Sequence, residues 1–140
     1  MTISVFTPTH NPKWLDKCLA SLQAQTYADW EWVVLLNNGA RWETDDSRVR
    51  FVISENANAG VGAYKSEAVQ YCQGDILVEL DHDDQLMPTA LEKVLEAFDA
   101  NNDTVLSTPT LLRLMRTVHQ TLRSLTPALA GHTEKRVDTT

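Results

Sequence analysis

Strand-like and helix-like patterns alternate along this chain, and the alternation restricts the fold more than any other feature of the sequence. Short β-rich apolar runs lie at residues 3–7, 31–36, 49–53 and 76–80. Amphipathic helical patterns follow the first, third and fourth of these runs. The alternation predicts an α/β fold, with a Rossmann-like, mostly parallel sheet flanked by helices on both faces. The run at 76–80 is apolar enough to be expected in the centre of that sheet.

Capping and turn residues indicate where the helices begin and end. Asn11 is expected to cap the first helix, with Pro12 in its first position, and the helix is expected to end near Gln25. Gly74 is expected to end the second helix and Pro88 to begin the third. Apolar spacing predicts the inner face of each helix. The first helix should bury Trp14, Leu15, Cys18, Leu19 and Leu22, and the second should bury Val61, Tyr64, Ala68, Val69 and Cys72. The third should bury Met87, Leu91, Val94, Leu95 and Phe98.

The length of 140 residues suits one domain with a sizeable core. We expect the α/β domain to span residues 1–108, with a fifth strand near 104–108. A C-terminal helix over residues 109–127 is expected to pack on or near it, followed by a frayed polar tail over residues 128–140. The arginines of that helix are expected to form a solvated face, the alternative being a phosphate or membrane patch.

Composition and charge exclude several classes of partner. The formal net charge of −7 argues against a broad nucleic-acid-binding face. The first residues, MTISVFTP, lack the features of a signal peptide, and no apolar run approaches the ~20 residues of a membrane span. Cys18 and Cys72 fall on inner helix faces, so buried free thiols are favoured over a disulfide. We therefore predict a cytoplasmic protein with no nucleic-acid partner and no membrane span.

The loops after the strands decide which kind of α/β site is possible, because ligands of parallel sheets bind beyond the carboxyl ends of the strands. These loops read TPTHN, NNGA, SENANAG and DHDDQ. The first has no glycine, which excludes a GxGxxG dinucleotide site and counts against a sugar-nucleotide pyrophosphorylase; a GxxxxGK[ST] phosphate loop is also absent. A phosphoacceptor receiver would need acidic residues after the first strand, where His10 and Asn11 stand instead. An acidic cluster facing loops rich in Asn, Thr and Pro remains.

Three carboxylates follow the fourth strand in the stretch LVELDHDDQLMP: Asp81, Asp83 and Asp84. Such oxygen ligands suit Mg²⁺ or Mn²⁺, which often take only one or two carboxylates from the protein. In an extended segment Asp81 and Asp83 project to the same side, while His82 points away. Like charges this close are expected to need a bound cation or neighbouring donors. The alternative is a solvated turn that caps the following helix, and for Asp84 the two explanations are equally good.

Two stretches resemble the nucleotide-sugar-binding half of family 2 glycosyltransferases, which have the GT-A fold. They read ISVFTPTHNPKWLDKCLASLQAQTYADWEWVVLLNNG and NANAGVGAYKSEAVQYCQGDILVELDHDDQLMP, in the family's order. The resemblance implies that Asp81, His82 and Asp83 form a DxD-type motif. In that motif Asp83 would coordinate a divalent metal on the diphosphate. Asp81 would contact the ribose or donor sugar and is the second metal ligand that the resemblance implies.

The loop after the first strand, and two places that differ from the family's pattern, bear on which residues would contact the nucleotide. The resemblance implies that the loop containing Pro8, Thr9 and Asn11 lies against the base. Asn37 and Asn38 stand where the family usually has two aspartates. An asparagine can accept a uracil N–H through its carbonyl or present its amide to another base, so the base stays open.

Lys65 is the second departure, because the family often has an arginine at this place in the segment YKS. It can supply a point charge to a phosphate, or it can lie on a solvated helix face.

Tryptophans could stack on a sugar ring, but their spacing favours burial in the core for Trp14 and Trp32. Trp42 lies in a loop, and its role stays open.

The resemblance implies displacement at the anomeric carbon of a nucleotide-diphosphate sugar, with inversion, assisted by Mn²⁺ or Mg²⁺. The acceptor, whether a glycan, a lipid-linked molecule or a protein, stays open. In the family the general base is an Asp or Glu well downstream of the DxD motif. After Asp103 the only acids are Glu134 and Asp138, and neither is assigned as the base.

Domains of the family are usually longer than this chain, which implies truncation at the C-terminus. The chain is then a donor-binding fragment, a naturally short relative, or one component of a homo-oligomer or of a complex whose partner subunit supplies the acceptor half. Two functions follow: a metal-dependent inverting glycosyltransferase, or a non-catalytic or partner-dependent module that binds a nucleotide sugar.

Overall fold

Parallel strands form the central sheet of residues 1–100, the part of the chain that the computed structural model describes. The strands are β1 (Ile3–Thr9), β2 (Trp30–Leu36), β3 (Val49–Ile53) and β4 (Ile76–Glu79). The helices are α1 (Leu15–Gln23), α2 (Val61–Gln70) and α3 (Ala90–Ala100), with a 3₁₀ turn (Pro12–Trp14) before α1. The predicted α/β class and the predicted parallel sheet are confirmed.

The strands lie in the order β3-β2-β1-β4, and every neighbouring pair is parallel. The chain therefore moves outward from β1 to β3 and then returns to the other side of β1, which makes the boundary between β1 and β4 a topological switch point. Within residues 1–100 β4 pairs with β1 alone, so its predicted central place is not met in the described sheet. The predicted strand at 104–108, helix at 109–127 and tail at 128–140 lie outside the described residues.

Two apolar clusters pack the helices on opposite faces of the sheet, because neighbouring strand residues point to opposite sides. Ile3 and Val5 of β1 belong to the cluster that includes α1 and α3, whereas Phe6 belongs to the cluster with α2. The prediction of helices on both faces is confirmed. Leu80 and Leu86, from the segment that connects β4 to α3, belong to the same cluster as α1 and α3.

The predicted inner helix faces are wrong at the helix starts. Val61 is 68% exposed and Met87 is 74% exposed. Val61 is the first residue of α2, and α3 begins at Ala90 rather than at Pro88, so Met87 precedes that helix. Trp14 is only half-buried, since it ends the 3₁₀ turn that Asn11 caps by accepting a hydrogen bond from the Lys13 nitrogen.

Cys18 and Cys72 are buried free thiols, as predicted. Burial raises the pKa of the Cys72 thiol to about 12 and that of Cys18 to about 11, so both stay protonated at neutral pH. None of the helices in residues 1–100 combines the length and the apolar character needed to cross a membrane.

Gly74 lies where the chain enters β4 and passes close to the start of β1. Because α2 ends at Gln70, Gly74 does not end that helix as predicted. A Cβ added at residue 74 would lie 2.6 Å from the Thr2 carbonyl oxygen and 2.8 Å from the Ser4 nitrogen. Both are backbone atoms, so relieving the contact would require β1 to shift.

We expect Gly74→Ala to lower the free energy of unfolding by about 1–3 kcal/mol, because the added methyl group overpacks the backbone of β1. Gly62 of α2 is a matched control, since a Cβ there meets nothing within 4 Å. Gly62→Ala should raise stability by about 0.5–1 kcal/mol through helix propensity. Urea denaturation measures both, and equal effects of the two substitutions would contradict this explanation.

Candidate functional site at the carboxyl edge of the sheet

The acidic loop, defined here as residues 80–89 between β4 and α3, leaves the sheet at the switch point. The Leu80 nitrogen donates to the Phe6 carbonyl oxygen at 3.1 Å, which extends the pairing of β4 with β1. The buried Thr7 hydroxyl donates to the Leu80 carbonyl oxygen at 2.6 Å and accepts from Trp32 Nε1 at 2.9 Å. These bonds hold the start of the acidic loop beside the end of β1, where ligands of open parallel sheets bind.

Asp81 to Asp84 form a turn, in which the Asp84 nitrogen donates to the Asp81 carbonyl oxygen at 3.1 Å. The expectation of an extended segment, with Asp81 and Asp83 on one side and His82 on the other, is therefore wrong about the backbone. Asp81 and Asp83 are exposed, while Asp84 and His82 are half-buried. The pKa of Asp84 is raised, first by burial and then by the charges of Asp83 and Asp81.

The residues of this turn fit a hard divalent cation shared with a phosphate. Among residues 1–100 no three His, Cys, Asp or Glu side chains are already arranged around one metal position. Mg²⁺ and Mn²⁺ often take only one or two carboxylates and complete their coordination with phosphate and water. The exposed carboxylates of Asp81 and Asp83 meet that requirement. Asp84 does not cap α3, which begins only at Ala90.

The first loop lies against the acidic loop. The ring of His10 meets the ring of His82 edge to face, with 5.6 Å between centroids. Thr9 is buried, and its hydroxyl donates to the Asn11 carbonyl oxygen at 2.8 Å and accepts from the Asn11 nitrogen at 2.9 Å. Pro8 is half-buried at the end of β1. Thr9 therefore shapes the first loop, and contact of these residues with a base stays a prediction.

Asn37 and Asn38 follow β2 at the same edge of the sheet. Asn37 is buried, and its backbone nitrogen donates to the Thr9 carbonyl oxygen at 2.9 Å. Asn38 is exposed with a φ of 49°, a left-handed conformation that asparagine tolerates. Its Oδ1 accepts from the Asn58 nitrogen at 3.2 Å and from the Tyr64 hydroxyl at 3.4 Å. The Asn38 carbonyl thus connects the loop after β2 to the segment before α2.

Lys65 forms an ion pair with Glu79 of β4. The Glu79 side chain is 8% exposed and the Lys65 side chain is 30% exposed, so the pair lies between α2 and the sheet. The alternative of a solvated helix face is therefore wrong. Contact of Lys65 with a phosphate stays a prediction. In the structure the same ammonium group neutralises the carboxylate of Glu79.

A cleft on the α1 side of the turn is lined in part by residues for which the sequence predicts no role in the site. It has a volume of about 190 Å³ and is lined by Trp14, Lys17, Asp83, Asp84 and Gln85. The ammonium groups of Lys13 and Lys17 lie 4.5 Å and 4.8 Å from the centre of the Trp14 ring. The apolar spacing of α1 predicts Trp14 in the core, yet Trp14 ends the 3₁₀ turn and its side chain lines this cleft.

The other two tryptophans considered as sugar-stacking residues have structural roles. Trp32 is fully buried, as predicted. Trp42 packs edge to face on Trp32, with 5.4 Å between centroids, and its Nε1 donates to Asp16 Oδ1 at 3.0 Å. Trp42 therefore secures the loop after β2 to the outer side of α1.

Comparison with known proteins gives a family and a fold. The sequence model of glycosyl transferase family 2 matches residues 4–138. The O-antigen biosynthesis protein RfbC of Myxococcus xanthus is 33% identical over 118 residues, which cover 74% of this chain and 9% of RfbC. Chondroitin synthase of Escherichia coli is 33% identical over 109 residues, which cover 69% of this chain and 15% of the synthase.

Among solved structures, S. aureus TarS 1–349 in complex with UDP-GlcNAc aligns with a TM-score of 0.61 at 22% identity. The alignment covers 73% of this chain and 33% of the TarS chain, and at this identity it shows a shared fold. The chain thus spans only a minor part of these proteins. Because the family match runs over nearly the whole sequence, the chain belongs to glycosyl transferase family 2.

Proposed function

We propose that residues 1–100 bind the nucleotide-diphosphate sugar of a glycosyltransferase at the carboxyl edge of the sheet, with Mn²⁺ or Mg²⁺ held by Asp83 and Asp81. The main support is the position of the acidic loop, at the switch point and against the first loop. TarS, which shares the fold, has been solved with UDP-GlcNAc. In this proposal the complete protein transfers the donor sugar with inversion.

The strand order supports a defined orientation of the donor. Because β1 lies between β2 and β4, the ends of β2 and β4 are separated by two strand spacings, about 10 Å. The base would lie near Asn37 and Asn38, the first loop would lie under the ribose and base, and the diphosphate would lie at Asp81 and Asp83. In this arrangement the sugar would lie beyond the acidic loop, toward the cleft lined by Trp14 and Asp83.

The chemistry requires the acceptor oxygen to attack the anomeric carbon while the bond from that carbon to the diphosphate oxygen breaks. A bound divalent cation supplies positive charge to the departing diphosphate. Asp83 and Asp81 would hold that cation, Asp81 would also contact the ribose or the sugar, and Lys65 would add a point charge near the phosphates. No residue among 1–100 is assigned as the general base, and Glu134 and Asp138 lie outside the described residues.

Thermal melting with nucleotide sugars tests the donor site. A ligand at a hundredfold excess over its Kd stabilises the folded protein by about 2.7 kcal/mol, so the matching sugar nucleotide should raise the Tm by several degrees when Mn²⁺ is present. UDP-, GDP-, CDP- and dTDP-sugars identify the base, and EDTA is the control for the metal. If none of these compounds raises the Tm with Mn²⁺, the donor-site proposal is wrong.

Turnover distinguishes the enzyme from the binding module. With a sugar nucleotide that raises the Tm, release of free nucleoside diphosphate is measured against a panel of glycan, lipid-linked and protein acceptors. Acceptor-dependent release supports the glycosyltransferase. Binding without release, in the complete protein and with its partner subunits, supports the non-catalytic module.

A further inference from the structure

Three polar side chains on the buried side of α1 face the acidic loop. Cys18 and Ser21 lie within α1 and Gln25 lies just beyond its end, and the exposed fractions of these residues are 0%, 9% and 9%. Their spacing places them along one side of the helix. A buried polar group lowers the stability of the folded protein unless it is hydrogen-bonded, whereas an apolar side chain at these positions would need no partner.

Cys18 contacts the turn that contains the carboxylates. Its sulfur lies 3.2 Å from the carbonyl oxygen of His82 and 3.2 Å from that of Asp84. The single thiol proton is shared between these two acceptors, and the carbonyl oxygens of positions 82 and 84 both lie next to the Cys18 sulfur of α1.

Ser21 and Gln25 hold the second part of the acidic loop. The Ser21 hydroxyl accepts from the Leu86 nitrogen at 3.2 Å and donates to the Cys18 carbonyl oxygen at 2.7 Å. Gln25 donates through Nε2 to the Met87 carbonyl oxygen at 2.8 Å and accepts through Oε1 from the Leu91 nitrogen at 3.0 Å. All three side chains therefore bond to the loop backbone or the start of α3.

We propose that Cys18, Ser21 and Gln25 are positioning residues that hold the acidic loop in the conformation in which Asp81 and Asp83 bind the divalent cation. The inference rests on the proposed function and extends it to residues that touch neither cation nor nucleotide. The loop lacks regular secondary structure, β1 holds only its first residue, and these contacts from the α1 side hold residues 82–87. Groups that orient metal ligands typically change metal affinity by about 10–100-fold when they are removed.

The test compares two buried thiols. Cys72 follows α2 on the opposite face of the sheet, and its sulfur contacts the Ala68 carbonyl oxygen of α2. Cys72→Ala therefore removes a similar side chain far from the acidic loop. Mn²⁺ titration with the nucleotide that raises the Tm, followed by electron paramagnetic resonance, measures the Kd of the ion. Cys18→Ala should weaken Mn²⁺ binding about tenfold or more. Cys18→Ser, which keeps a donor, should restore most of the affinity, and Cys72→Ala should leave it unchanged.

Two outcomes would overturn the inference: unchanged Mn²⁺ affinity in folded Cys18→Ala, or an equal loss in Cys72→Ala. If Cys18→Ala does not fold, Ser21→Ala replaces it, with the same expected loss of affinity and faster hydrogen exchange of the Leu86 amide. Unchanged affinity and unchanged exchange in that variant would overturn the inference as well. Failure of the unsubstituted protein to bind Mn²⁺ with any nucleotide would instead overturn the proposed function, and this inference with it.

Discussion

Asp83→Ala should abolish the Mn²⁺-dependent rise in Tm that a nucleotide sugar produces, while leaving the protein without ligand at least as stable as before. Asp83 is exposed, so its removal leaves no cavity, and its charge is one of the causes that raise the pKa of Asp84. Removing it relieves repulsion in the turn. The stabilisation lost with ligand at a hundredfold excess over its Kd is about 2.7 kcal/mol.

Asp45→Ala is the matched control for this prediction. Asp45 is also exposed, but it precedes β3 and so lies toward the amino ends of the strands, away from the acidic loop. Its variant should keep the full ligand-dependent rise in Tm. A rise of normal size in Asp83→Ala would exclude Asp83 as a metal ligand, and loss of the rise in both variants would point to a general effect of net charge.

Lys65→Met should lower the free energy of unfolding by about 3–5 kcal/mol, because it leaves the buried Glu79 carboxylate without a partner. The double variant Lys65→Met with Glu79→Gln should recover most of this loss, since the buried charge is then absent. Urea denaturation of the two single variants and the double variant gives the coupling energy of the pair.

Lys93→Met is the control for this second prediction. Lys93 pairs with Glu96 at 2.8 Å on the surface of α3, where the side chains are 67% and 57% exposed, so its replacement should have almost no effect. A Lys65→Met variant as stable as the unsubstituted protein would contradict the structural role of the pair. In the folded double variant, weaker nucleotide binding would support a further contact of Lys65 with phosphate, and unchanged binding would exclude it.

Hydrophobic periodicity was sufficient to predict the order of the elements and the packing of helices on both faces. β3 has the predicted bounds, Val49–Ile53, and the buried residues of α2 are among those expected from spacing. The errors share one cause. Val61, Met87 and Trp14 continue an apolar spacing past the point where a helix lies against the sheet, and spacing contains no information about where the opposing layer ends.

The position of the candidate site was predictable from the sequence, but its side-chain contacts were not. The loops that meet at one edge follow from parallel strands, so Asp81, Asp83, Asn37 and Asn38 could be assigned to that edge from their positions after strands. The pairing of Lys65 with Glu79 could not, because charge on a helix and charge on a strand show no periodic relation along the chain.

Residue type and short-range spacing were enough to establish an α/β chain with a carboxylate-rich loop after its fourth strand, since both are properties of neighbouring residues. The conformation of that loop depended on contacts between distant segments. Cys18 and Asp84 are separated by 66 positions in the chain, yet the thiol of one contacts the carbonyl oxygen of the other. A loop without regular structure takes its path from the groups that satisfy its backbone, and these groups lie on β1 and on or just beyond α1, which only the folded chain brings alongside it.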